Sequence, residues 1–137
     1  RKKLGTTKYK GLFEIILTDN GWEFSLPVEI EIDPKTGEKL VNLFYTESYS
    51  SWQKGSIERN HEFIRYVLQK GISFDTLTKK NVDDIMNNIN NVQRKSLNYQ
   101  TPSSLFKNKY GEDVYKALSL RDIPKEDVNL SYKILKK

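Results

Sequence analysis

Leu12-Phe13-Glu14-Ile15-Ile16-Leu17-Thr18 is a short, nearly continuous apolar run, rich in β-branched residues, that stops at Asp19-Asn20-Gly21. Gly11 bounds it on the other side. A run of this length between turn residues reads as a strand buried on both faces, as in the parallel core of an α/β sheet. Asp19 then stands at the C-terminal end of that strand, where open α/β sheets place their chemistry. Taken alone, Asp-Asn-Gly after a strand is a turn, because Asn and Asp tolerate left-handed backbone and Gly adopts it freely.

Beyond this run, Val28, Ile30 and Ile32 alternate with Glu29 and Glu31, the pattern of a half-buried strand. Asp33-Pro34-Lys35-Thr36-Gly37 is a turn signal, and Lys39 to Tyr45 reads as a further strand, so the two are expected to pair as a hairpin. From about Trp52 to Gln69 the pattern becomes helical, with Ile57, Ile64, Val67 and Leu68 on one side and Gly71 as a stop. Glu58, Glu62 and Arg65, at i, i+4 and i+7, share one polar face of that helix, a carboxylate above a basic group.

Thr78 reads as an N-cap for an amphipathic helix whose apolar positions are Val82, Ile85, Met86, Ile89 and Val92. Thr101-Pro102 opens another helix as N-cap and N1 proline, and a short one is expected over Glu112 to Leu118. The order is therefore strands first and helices afterwards, with no internal repeat.

Composition sets bounds on the rest. The chain has 137 residues, 36% hydrophobic and 30% charged, which suits one domain, or a piece of one, with a modest core. No apolar run approaches the ~18–20 residues of a membrane span, so no membrane partner is expected. The basic start Arg1-Lys2-Lys3-Leu4-Gly5 leads into no apolar segment and is not a secretory signal; it lacks an initiator Met, as a chain beginning inside a longer protein would. There is no cysteine, which excludes disulfides and zinc–thiolate sites and suits a reducing cytoplasm. A net charge of +5 favours an anionic partner such as nucleic acid.

Two segments change the reading of Asp19 and Glu58. One is Ile16-Leu17-Thr18-Asp19-Asn20-Gly21-Trp22-Glu23-Phe24, and the other is Tyr49-Ser50-Ser51-Trp52-Gln53-Lys54-Gly55-Ser56-Ile57-Glu58-Arg59-Asn60. Their order, and the 39 residues between Asp19 and Glu58, resemble the integrase-type core of insertion-sequence transposases of the IS-thirty group. That family shows a "TDNGxEF" strand end and then "SxWQ[KR]GxxE" entering a helix. Lys70-Gly71-Ile72-Ser73-Phe74-Asp75, and Arg94-Lys95-Ser96-Leu97 followed by Thr101-Pro102, resemble further family segments.

The resemblance implies an α/β, RNase H-like (integrase core) fold that is partial here, lacking the first strands and followed by C-terminal helices. Residues 1–77 would be the C-terminal part of the catalytic core and 78–137 a helical extension of the same domain. In the family three acidic residues hold two divalent ions, Mg²⁺ or Mn²⁺, for DNA strand transfer in transposition. Asp19 and Glu58 match the second and third of these as catalytic, metal-binding carboxylates. Gln53, Lys54, Arg59 and Arg65 are the expected DNA contacts. The implied partners are DNA, as transposon ends and target, together with a second copy or a full-length transposase. The implied location is the bacterial cytoplasm, associated with the nucleoid.

The family's first Asp has no counterpart, since no Asp precedes Asp19. Glu47-Ser48 and Gln69-Lys70-Gly71 also depart from the family's usual acid-Pro and Pro-Lys-Gly. The chain alone is therefore expected to be inactive and prone to associate through an unpaired strand edge. The alternative reading is a non-catalytic DNA-binding or regulatory remnant. Outside the matched carboxylates the expectations are plain: His61 partly exposed and structural, Trp22 and Trp52 packed in a core, Arg94-Lys95 a solvated helix end.

Overall fold

The computed structural model describes residues 3–47 and 55–136, and the side chains of 23, 55–58 and 136 are outside the description. The fold is mixed α/β. It divides into two compact units, Arg1–Gly55 and Ser56–Lys137.

The first unit contains helix α1 (Thr6–Leu12), strand β1 (Ile15–Thr18), helix α2 (Pro27–Glu31) and strand β2 (Asn42–Tyr45). The strands pair in parallel, Ile15 opposite Asn42 through Thr18 opposite Tyr45. Backbone bonds from Asn42 N to Glu14 O (3.0 Å) and from Thr46 N to Thr18 O (2.7 Å) extend the ladder at both ends. The apolar run is thus a strand, but a shorter one than expected, because α1 takes Leu12. Nor is it buried on both faces. Ile15 is 65% exposed and Leu17 44%. With period-two alternation, Ile15 and Leu17 share the face that carries Phe44, which is also exposed.

Val28–Ile32 corrects the expectation of a strand. Pro27, with φ pre-set for a helix, occupies its first turn, and Pro27–Glu31 form one short helical segment. Five residues are too few to separate alternation from helical period, and here the local proline decides. A remnant of the expected hairpin survives as the isolated antiparallel bridge Ile32–Lys39. The turn between them is built on buried Asp33: its Oδ1 accepts from Lys35 N (2.9 Å), its Oδ2 from the Thr6 hydroxyl (3.0 Å), and its carbonyl from Gly37 N (2.8 Å). Gly37 has φ 72, a conformation that glycine reaches without a Cβ clash. Glu31 Oε1 accepts from Leu43 N at 2.9 Å, tying α2 to the middle of β2.

The second unit contains α3 (Gly55–Val67), α4 (Lys79–Asn90), α5 (Pro102–Tyr110) and α6 (Glu112–Ala117). Its core is Val67, Leu68, Ile85, Ile89 and Ile134, with Phe63, Ile64, Ile72 and Leu77 packed around it. Thr78 caps α4 as expected, in a reciprocal box: Thr78 Oγ1 accepts from Asn81 N, and Asn81 Oδ1 accepts from Thr78 N. Thr101 caps α5, with Pro102 in its first turn.

The buried arc of α4 is rotated from the expected one. Ile85 and Ile89 are buried, but Val82 and Met86 are exposed, and Asn87, Asn88 and Asn91 are buried in their place. These asparagines strap the segment after α6, residues 119–129, to the helix. Asn87 donates to Ser119 O (3.0 Å) and accepts from Arg121 N (2.9 Å). Asn91 donates to Arg121 O (2.9 Å) and accepts from Ile123 N (3.2 Å), and Asn88 accepts from Asn129 N (2.7 Å). An amide offers donor and acceptor together, so each one satisfies backbone groups that a buried apolar side chain would leave unpaired.

Candidate functional site

Asp19 follows buried Thr18 at the C-terminal end of β1, and it is exposed. The loop that carries it is clipped to β2. Asn20 Nδ2 donates to Thr46 O at 3.5 Å, and the Tyr45 hydroxyl donates to Phe24 O at 2.5 Å. Gly21 is extended (φ −60, ψ 146), so the turn does not use the left-handed conformation that Asp-Asn-Gly permits. A 3-10 turn at Trp22–Phe24 follows. Trp22 is 86% exposed, which corrects its assignment to the core. The tryptophan lies on a three-residue turn that no apolar layer covers among the described residues.

Glu58 stands in the first turns of α3, in the second unit, and its side chain is outside the described atoms. Gln53, Lys54 and Trp52 lie outside the described residues. Further along α3, Arg59, His61, Glu62 and Arg65 are all exposed, His61 as the sequence implies. Arg59 Nε lies 3.7 Å from Glu62 Oε2, an exposed pair of small energetic weight. Asp19 and Glu58 supply hard oxygen donors of the type Mg²⁺ takes. Among the described residues no group of three His, Cys, Asp or Glu side chains is assembled for a metal.

Arg94 overturns the expectation of a solvated helix end. Its guanidinium donates from Nη2 to Asn60 Oδ1 at 3.0 Å and lies over the Phe63 ring, 5.3 Å from the centroid. Its Nε is buried, with no hydrogen-bond partner among the described residues. Burial pushes the Arg94 pKa down, and the charge of Arg59 pushes it the same way. An arginine so perturbed still keeps its proton. The backbone of Arg94 is fixed as well, its N donating to Gln100 O (3.1 Å) and its O accepting from Tyr99 N (3.0 Å). Asn98 (φ 50) and Tyr99 (φ 60) close this loop in left-handed conformation. Sequence spacing held no signal for Arg94, because Asn60 and Phe63 lie on a different helix.

No protein-family model matches the chain, and no solved structure matches it. The transposase for insertion sequence element IS4351 of Bacteroides fragilis is 37% identical over 101 residues, 73% of this chain and 29% of that protein. The transposase for insertion sequence element IS1086 of Cupriavidus metallidurans is 29% identical over 72 residues, covering 53% of this chain and 20% of its own length. A putative integrase of Spiroplasma virus SpV1-R8A2 B is 30% identical over 96 residues, 70% of this chain and 28% of that protein. The chain is thus a homologue of insertion-sequence transposases, matching a segment that is under a third of their length.

Proposed function

We propose that this chain is part of an RNase H-like transposase core acting in DNA transposition, and that Asp19 and Glu58 each contribute a metal-ligating carboxylate. The observation that carries the reading is the placement of Asp19. It is exposed at the C-terminal end of a strand in a parallel pair, on a loop held by the Asn20 and Tyr45 clips, within a chain similar to transposases and an integrase. A ligand held on a fixed loop keeps its geometry, and a misplacement of about 1 Å can cost roughly a hundredfold in rate.

Two divalent ions, Mg²⁺ or Mn²⁺, bound by such carboxylates would stabilise the attacking and leaving oxygens of a phosphodiester displacement. Asp19 and Glu58 are two carboxylates, fewer than such a pair of ions needs. The 137-residue chain by itself is therefore expected to bind a divalent ion weakly and not to join DNA strands. The exposed cations Arg59 and Arg65 on α3, with Gln53 and Lys54 before it, are the proposed contacts to the DNA backbone, and DNA and a transposase chain are the proposed partners.

A strand-transfer assay with Mg²⁺ and labelled DNA tests this. No joined product is expected from the chain alone. Joining that Asp19→Ala leaves intact would remove Asp19 from the account. Joining that Asp19→Ala abolishes would keep Asp19 and overturn the inactivity.

A further inference from the structure

Arg59, Phe63, Gln93, Arg94, Lys95 and Ser96 line an open pocket of about 620 Å³ within the second unit. Three of the six are cations, and Arg59 pairs at 3.7 Å with Glu62, itself exposed. Arg94 is half-buried, and no carboxylate pairs with it among the described residues. A partly buried cation without a counter-ion is costly, and here a second guanidinium adds repulsion. The Asn60 bond, the Phe63 ring and the closed 94–100 loop nonetheless hold the Arg94 guanidinium in place. Paired left-handed non-glycine residues cost on the order of 1–3 kcal/mol each and persist where the surroundings over-determine them, often at ligand sites.

We infer that this pocket seats a backbone phosphate of DNA, with Arg94 as a pre-placed fork, Arg59 and Lys95 as flanking charges and Ser96 as a hydroxyl donor. An anion there would offset the Arg59–Arg94 repulsion, and a guanidinium fork matches the geometry of phosphate oxygens. Asn60 is a positioning residue that orients Arg94. This inference rests on the DNA reading above and extends it to Ser96 and to Arg94-Lys95, the pair expected from the sequence to be a solvated helix end.

The test is fluorescence anisotropy of a labelled duplex with the 137-residue chain, titrated over a salt series. Arg59→Gln and Lys95→Gln change exposed side chains and should each weaken binding roughly five- to tenfold at about 0.1 M salt, lowering the salt slope by about 0.9. Arg94→Lys keeps the charge and loses the fork, so affinity should fall severalfold with the slope unchanged. Lys125→Gln, an exposed control on the 3-10 turn Lys125–Asp127, should change neither. Unaltered binding in the pocket variants, or an equal loss in the control, would overturn the pocket while leaving DNA binding standing. Absence of DNA binding by the unaltered chain would overturn the DNA reading and the pocket with it. Inorganic phosphate binding without DNA binding would show an anion pocket unrelated to nucleic acid, and would also overturn the inference.

Discussion

The two units bury their apolar residues very differently. In Ser56–Lys137, Val67, Leu68, Ile85, Ile89 and Ile134 form a buried cluster, and three asparagines bind residues 119–129 to α4. In Arg1–Gly55, Leu4, Leu40 and Val41 are buried, while Ile15, Leu17, Trp22, Val28 and Phe44 are all exposed. A two-stranded sheet is marginal without a partner layer. The unit that carries Asp19 therefore relies on backbone bonds and side-chain clips more than on apolar burial. Apolar side-chain packing is the main feature of the second unit, whereas backbone bonds and side-chain clips are that of the first.

The largest expected effect lies in the second unit. Ile89→Ala should destabilise it by about 2–5 kcal/mol in denaturant unfolding. Ile15→Ala, on the exposed sheet face, should stay within about 0.5 kcal/mol. Equal costs at the two positions would break the contrast. A smaller effect is expected at Asn87. Asn87→Ala removes the acceptor of Arg121 N and should cost about 1–3 kcal/mol, read as faster amide exchange at Arg121. Unchanged exchange there would show that the strap does not hold the loop.

The smallest effect is the pH response of the α5–α6 region. Lys107 bonds Asp122 (2.7 Å) and Glu112 (2.9 Å), and Asp122 also accepts from the Tyr115 hydroxyl (3.0 Å). The Lys107 hydrogen bond is the leading cause holding both carboxyls below their ordinary range. A depressed carboxyl stabilises the fold above its unfolded pKa, and that contribution is lost as pH falls through the lower folded value. The Lys107 pKa is raised, chiefly by Asp122, so its contribution is present below the unfolded lysine pKa and lost as pH rises through the folded value. These groups are largely exposed, so a shallow acid-side decline is expected, and it should flatten further in Lys107→Gln. An equally steep decline in that variant would assign it to other carboxyls.

The same contrast explains what the sequence could disclose. Caps are local, so Thr78, Thr101 and Pro102 were readable from a few residues each. The β1 strand end at Asp19 was readable because turn residues bounded it. The Val28–Ile32 helix was not, since five alternating residues fit either period and Pro27 settled the matter. Apolar pattern located Val67, Leu68, Ile85 and Ile89 in the core but misjudged other positions. Val82, Met86 and Trp22 are exposed, and asparagines with no apolar signal occupy the covered side of α4. Arg94 depends on Asn60 and Phe63, whose approach is set by packing rather than by spacing. Of the site, the identities of Asp19 and Glu58 came from motif order, while the Asn20 and Tyr45 clips emerge only from the fold.

The central claim is that Asp19 and Glu58 are metal-ligating carboxylates. Its most direct test is a Mn²⁺ titration of the ¹⁵N-labelled chain followed by paramagnetic broadening of backbone amides. The account predicts selective broadening of the amides around Asp19 and around Glu58, with Asp19→Asn removing the first and Glu58→Gln the second. Broadening centred on other acids, or broadening unchanged by both substitutions, would contradict it.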